Sequence, residues 1–401
     1  MSAFAWLDYS EHDRRLALDV IDQFKEQDTR DELGIGAIRD GFADLFFPGT
    51  GTVQTRARYF FFTPWIYQRL ETRKISSAEV KYRARKAECQ LIESLLREGE
   101  GDGVIGRQRR DKLKRLPSSI YWQGLGVLGI RRFGGSQDQY HRSLDRFYRS
   151  GGLELRSDDR ELLNRVGAFN WHPSLPKAPG DFPEHATLNL TREEGEYLRE
   201  RIIHTRPYSL FRFLADLEPA PEDVPFPWNH SAIAHAPALL RDQIEHARNF
   251  SEVMHGAALL YNLILARKKP APDRVIEYVE SLASWSVQLG LRQNDLARWE
   301  RQRFWEIVRG TEAHVTEPTR RFIDRWIDFA LGAERKSVTT SERAVAMITE
   351  REVQLKRNQA RVKNARALEL WSGASGTGQL SFRWPVANRM LWDMYDSRTV
   401  S

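Results

Sequence analysis

Between Arg30 and Leu70 the chain reads RDELGIGAIRDGFADLFFPGTGTVQTRARYFFFTPWIYQRL, and no other stretch restricts the fold as strongly. Ile35, Ile38, Phe42, Leu45 and Phe46 recur at three- and four-residue intervals, the period of one helix face. Residues 31–46 are therefore expected to form an amphipathic helix that stops ahead of Pro48-Gly49. Thr50-Gly51-Thr52 offers a hydroxyl N-cap for a second helix from Val53. Pro64 should end or kink that helix, because it lacks an amide N–H and its ring collides with the preceding turn. The product is a helical hairpin. In its common form Phe60, Phe61 and Phe62 are core, and Arg56 and Arg58 pair with Asp40 or Asp44; in a DNA-reading form the second helix enters the major groove.

The helical period persists along the chain. Ser10 caps a first helix over 10–27 whose stripe is Leu16, Val20, Ile21 and Phe24. Further helices are expected over 76–97, from Gln139 to Gly151, and from Thr191, where Glu194 three residues on completes a capping box. Others follow over 238–265, 275–291, 294–308 and 319–331. A last and longest one is expected from Thr339 to about Trp371, with an aromatic tail holding Phe382, Trp384 and Trp392 behind it. No run alternates as a half-buried strand would. The expected class is mainly α, multi-helical and bundle-like, with two to three subdomains. Two proline-rich connections, 170–190 and 206–228, interrupt the chain, and the first is a candidate domain boundary; the expected divisions are 1–169, 170–333 and 334–401.

Charge is distributed unevenly. Residues 1–50 hold 5 Lys/Arg against 11 Asp/Glu, and residues 51–150 hold 21 against 10, so with a whole-chain net of +6 the remainder sums to +1. The basic hundred residues and a later run supply the candidate phosphate contacts. These are Arg56 and Arg58; Lys81, Arg83 and Arg85 in the 76–97 helix; Arg107, Arg109, Arg110 and Arg115 in a segment with six basic residues in nine positions; and Lys356, Arg357, Arg361 and Lys363. Tyr59, Tyr82, Tyr121 and Trp122 lie between them, and an arginine fork on phosphate beside an aromatic face is the chemistry of nucleic-acid contact. The same charge could instead meet acidic surfaces of partner subunits.

Catalytic patterns are sparse. Glu252-x-x-His255, with Glu245 and His246 on the same helix, is half of a di-iron bundle pattern, but no second Glu-x-x-His occurs; Glu200 and His204, or His185, would have to complete a mononuclear site. Glu79-x-Lys81, with Asp40 or Asp44 upstream, resembles the tail of a restriction-type nuclease motif, although Glu79 falls where a helix N-terminus favours acids anyway. Gly124, Gly126 and Gly129 spell G-x-G-x-x-G outside the strand–turn–helix setting that a dinucleotide site requires. Close helix approach around Tyr121 and Trp122 accounts for them better. No cofactor is expected. One cysteine, Cys89, an acidic beginning with Asp8, Glu11 and Asp13, and no apolar run of roughly 18 residues point to a cytoplasmic location away from membranes.

Several short stretches carry a family resemblance: Phe4-Ala5-Trp6-Leu7-Asp8-Tyr9, Arg30-Asp31-Glu32-Leu33-Gly34-Ile35-Gly36, Phe47-Pro48-Gly49, Arg56-Ala57-Arg58-Tyr59-Phe60, Ile120-Tyr121-Trp122, Gln139-Tyr140-His141-Arg142 and Arg383-Trp384. Together they resemble an uncharacterised prokaryotic family associated with multi-gene antiphage defence clusters, beside helicases and phospholipase-D-like nucleases. The resemblance implies other proteins of the same cluster as partners and supplies no catalytic residue. The resulting expectation is an accessory, non-catalytic nucleic-acid-binding component of such a system.

Overall fold

A computed structural model describes residues 31–108, 113, 115–149, 170–311 and 313–399. The expected helix over 10–27, together with Arg109 and Arg110, lies outside the described residues. Among those residues the chain is all helix and connection, with 15 α-helices and no strand. They group into two compact units, neither a continuous segment: one holds 31–43 and Pro237–Phe382, the other Asp44–Ala236 and Arg383–Ser401.

The first unit begins with α1 (Gly36–Phe46), whose residues up to Ala43 belong to it. Both carboxylate oxygens of Asp31 accept free N–H groups of the first turn, from Ile35 at 2.9 Å and Gly36 at 2.6 Å, which explains the start of the helix. The unit is organised around α8 (Ala238–Lys268), 31 residues long and buried along most of its second half. Against it pack α9 (Pro272–Leu291), α12 (Glu317–Leu331) and α13 (Glu342–Lys356). Gly256 permits the closest approach: a Cβ there would stand 2.3 Å from the Trp285 ring, whose Nε1 donates to the Glu252 carbonyl at 2.8 Å. Trp326 repeats the device on the Val253 carbonyl at 2.9 Å. The expected helix over 294–308 divides into α10 (Gln293–Ala297) and α11 (Arg301–Gly310), and Phe304 of α11 joins Phe42 and Phe250 in one aromatic cluster.

The long C-terminal helix is not continuous. After α13 the backbone turns at Arg357 (φ 50°) and regains only a short helix, α14 (Ala365–Glu369). The cause is Glu352, whose buried carboxylate accepts the amide N–H groups of Arg361 at 2.9 Å and Val362 at 3.0 Å and draws the chain back against α13.

The second unit is built on α2 (Tyr59–Thr72), in which every residue from Tyr59 to Tyr67 is buried. The expected start at Val53 is six residues early. The Thr50 hydroxyl is spent on the Phe47 carbonyl at 2.6 Å, and Gln54 bridges Gly49 and Gly51, so residues 47–54 close a turn. Pro64 sits inside α2 and does not end it, and Phe60, Phe61 and Phe62 are core. Around α2 lie α3 (Val80–Arg97), α4 (Pro117–Val127) and α5 (Gln137–Arg149). The Gly124 position explains the first glycine of the motif: a Cβ there would come within 2.2 Å of the Gly49 carbonyl oxygen, with Tyr121 and Trp122 buried alongside. The predicted capping box opens α6 (Arg192–Thr205), followed by α7 (Leu210–Ala215). The aromatic tail is itself a helix, α15 (Trp384–Asp396), packed on α6 and α7.

Candidate nucleic-acid interface

Arg56 and Arg58 do not face solvent. Arg56 Nε donates to both oxygens of Asp393 on α15, at 2.8 and 3.1 Å, and Nη2 reaches Asn189 at 3.2 Å. Arg58 donates to the Thr187 carbonyl at 3.0 Å, the Thr187 hydroxyl at 2.9 Å and Glu194 at 2.9 Å, with its guanidinium over the Phe62 and Trp65 rings. Their partners are not Asp40 or Asp44, which pair with Arg39 and Arg383. Both arginines are internal struts, closed to a phosphate.

The C-terminal basic run is likewise divided. Lys356 pairs with Glu32 and Glu352, and Arg361 donates to Glu32 at 2.7 Å and Ser375 at 2.9 Å, around the Tyr261 hydroxyl that donates to Glu352 at 2.7 Å. Arg351 is buried on the Leu33 carbonyl and the Thr319 hydroxyl, where loss of hydration lowers its pKa. Arg357 and Lys363 remain exposed. This carboxylate–cation ring ties residues 32–33 to α13 and is neutralised internally.

The 81–86 segment behaves differently. Lys81, Arg83 and Lys86 are exposed on the first two turns of α3, and Tyr82 stands among them with 67% of its surface free. The unpaired N–H groups of a helix start carry partial positive charge, so cations there cost stability and their presence asks for another reason. A second basic segment, α5, meets this face, and Leu113 lies along α3. Arg85 donates to the Leu113 carbonyl at 3.1 Å, which holds Leu113 beside α3; Arg107 and Arg115 are exposed. On the other side Ser77 exchanges hydrogen bonds with Asp145 at 3.0 Å each way, setting α5 with exposed Arg142, Arg146 and Arg149 next to the start of α3. The interspersed acids are held in weak exposed pairs, Glu79 with Arg83 and Asp138 with Lys81, both at 3.7 Å. The three α5 arginines were not among the expected contacts, although their spacing over 142, 146 and 149 marks one helix face in the sequence.

Beneath this face Glu88 is fully buried and accepts the amide of Ser118 at 2.7 Å and its hydroxyl at 2.7 Å, which caps the start of α4. Burial pushes its carboxyl up to about 7, against the pull of those bonds.

The metal candidates are dispersed. His246 Nδ1 accepts the Trp299 indole N–H at 2.8 Å, His255 Nε2 bonds the Thr377 carbonyl at 3.0 Å, Glu252 is taken by Arg248 and Arg292, and Glu245 is exposed. Neither Glu200 nor His185 completes the set, since His204 bonds the Glu200 carbonyl and His185 pairs with Glu98. Among the described residues no group of three His, Cys, Asp or Glu could hold a metal ion. No helix among them is long and apolar enough to cross a membrane.

The chain belongs to a family of unknown function (DUF6361), which it matches over residues 1–398. Comparison with curated proteins and with solved structures finds no match.

Proposed function

Starting from that family membership, we propose that the protein is an accessory, non-catalytic nucleic-acid-binding component of a multi-protein prokaryotic system, and that it grips phosphate backbone with the basic face of α3 and α5. One observation carries the reading: cations of two separate helices, α3 and α5, lie side by side with an exposed tyrosine, at a helix end that repels them. Guanidinium forks suit phosphate oxygens, and a free tyrosine face suits an unpaired base. Fluorescence anisotropy with labelled single and double strands, titrated with salt, tests it. Replacing Lys81, Arg83 and Lys86 together by alanine should weaken binding. It should also reduce the slope of log affinity against log salt by about 2 to 3, as three lost phosphate contacts require. An unchanged slope in a folded variant rejects the reading.

A second reading, a surface for a partner protein, is favoured by α9, where Ile276, Val287 and Leu291 are 59%, 62% and 78% exposed on one side of the helix. Val287→Asp with Leu291→Asp should abolish co-purification with proteins encoded beside it; retention in the double variant counts against this reading.

A further inference from the structure

The last two glycines of the 124–129 motif seat arginines. A Cβ on Gly126 would stand 2.3 Å from Arg131 Nη2, and one on Gly129 (φ 63°) would stand 2.6 Å from Arg201 Nη2. Arg131 and Arg201 are thereby fixed on carbonyl oxygens, Arg131 on those of Trp122, Phe133 and Gly135, Arg201 on that of Leu128 at 3.0 Å. Arg131 also stands over the Trp122 ring, 4.8 Å from its centre. A two-residue antiparallel bridge, Arg132 N–H to the Asn170 carbonyl and His172 N–H to that of Ile130, both at 2.8 Å, locks the next arginine in place. Arg206 closes the end of α6.

These elements border a shallow, solvent-open depression of about 410 Å³, lined by Gln123, Arg131, Arg132, Phe133 and Arg206 together with Gly126, Val127 and Gly134. No carboxylate lines it, and among the described residues none pairs with Arg131, Arg132, Arg201 or Arg206. Carbonyl oxygens orient a guanidinium without cancelling its charge, so positive charge gathers along the depression. His172 senses it: its pKa is held down first by burial and then by Arg201 and Arg132.

We propose that this depression is a binding site for a phosphomonoester of mononucleotide size. The depression has room for more than a bare phosphate, so that the organic part of a monoester lies along it. Arg132 and Arg206, both exposed, meet the dianion; the Gln123 amide and the Phe133 ring offer a hydrogen bond and an apolar face to the organic part. The same phosphate chemistry is presented by a free nucleotide or by the terminal phosphate of a strand.

Isothermal titration of the full chain with adenosine 5′-monophosphate, adenosine, inorganic phosphate and a 5′-phosphorylated oligonucleotide tests the assignment. The monophosphate should bind, adenosine should not, and inorganic phosphate should bind at least tenfold more weakly. Arg132→Ala with Arg206→Ala should weaken the monophosphate at least tenfold while leaving the thermal melt unchanged. If the phosphorylated oligonucleotide binds more tightly than its unphosphorylated form, the source is a strand end; if only the mononucleotide depends on the two arginines, it is a free nucleotide. Monophosphate affinity weaker than about 1 mM, or affinity indifferent to the double variant, overturns the proposal. The Lys81, Arg83, Lys86 alanine variant should keep full monophosphate binding, so failure on the α3 face and failure here are separate results.

Discussion

Arg56→Ala separates an internal strut from a phosphate contact. Arg56 and Asp393 are almost dry, with side-chain exposures of 10% and 0%, and share two hydrogen bonds. Truncating the arginine leaves the Asp393 carboxylate with the Ala57 N–H at 2.8 Å and the half-exposed Arg389 at 3.3 Å. Burial already raises the Asp393 pKa against the pull of Arg56; without Arg56 it rises further. Removing one partner of such a pair costs about 3–5 kcal/mol, because the remaining charge is buried uncompensated. For a folding unit of this size each kcal/mol moves Tm by about 2–4 °C, so the variant should melt roughly 6–20 °C lower at pH 7. A carboxyl with a folded-state pKa above its unfolded value destabilises only where it must ionise. The deficit should therefore shrink as pH falls through that raised pKa and grow as pH rises. Adding Asp393→Asn should recover part of the loss, giving a coupling of about 0.5–3 kcal/mol in the double-mutant cycle. Circular dichroism melts of the four proteins across pH decide the matter, with strand binding measured well below the lowest Tm. A melt lowered by less than about 3 °C, with strand affinity lost, would refute the argument and return Arg56 to the binding surface.

Other perturbations test other parts of the structure. Glu88, with a carboxyl raised to about 7 from 4.5, binds a proton in the folded state that the unfolded chain has released between those values. Stability should thus fall as pH rises through that window, by roughly 3 kcal/mol, and Glu88→Gln should remove that slope in urea titrations. Gly124→Ala would raise helix propensity in an open helix, yet here its Cβ meets the Gly49 carbonyl at 2.2 Å; a loss of about 1–3 kcal/mol is expected, and a gain would show that the turn yields. Tyr82→Ala should weaken single strands by about 5- to 150-fold while duplex affinity stays within twofold; equal loss on both would remove base stacking from the account.

Much of the helical framework is legible without coordinates, because helix formation is local. The Thr191–Glu194 box, the apolar spacing of α8 and the stop ahead of Pro48-Gly49 all act within four or five residues. Even α15, read as a tail, carries the signal: Pro385 in the first turn, then Ala387, Met390, Leu391 and Met394 at helical spacing. Where local reading fails, a distant group intervenes. Glu352 breaks the expected C-terminal helix by capturing two amides, and the Thr50 hydroxyl is taken by its own turn.

The candidate site divides on the same line. The sequence supplies the cations, their crowding between residues 51 and 150 and the aromatics among them. It does not distinguish Arg56, whose carboxylate lies 337 positions away, or Arg361, whose partner Glu32 lies 329 away, from Lys81 and Arg83, which stay in water. A guanidinium has the same formula in both settings. Which ones are desolvated and neutralised depends on long-range closure of the chain, and that is decided only when the helices pack.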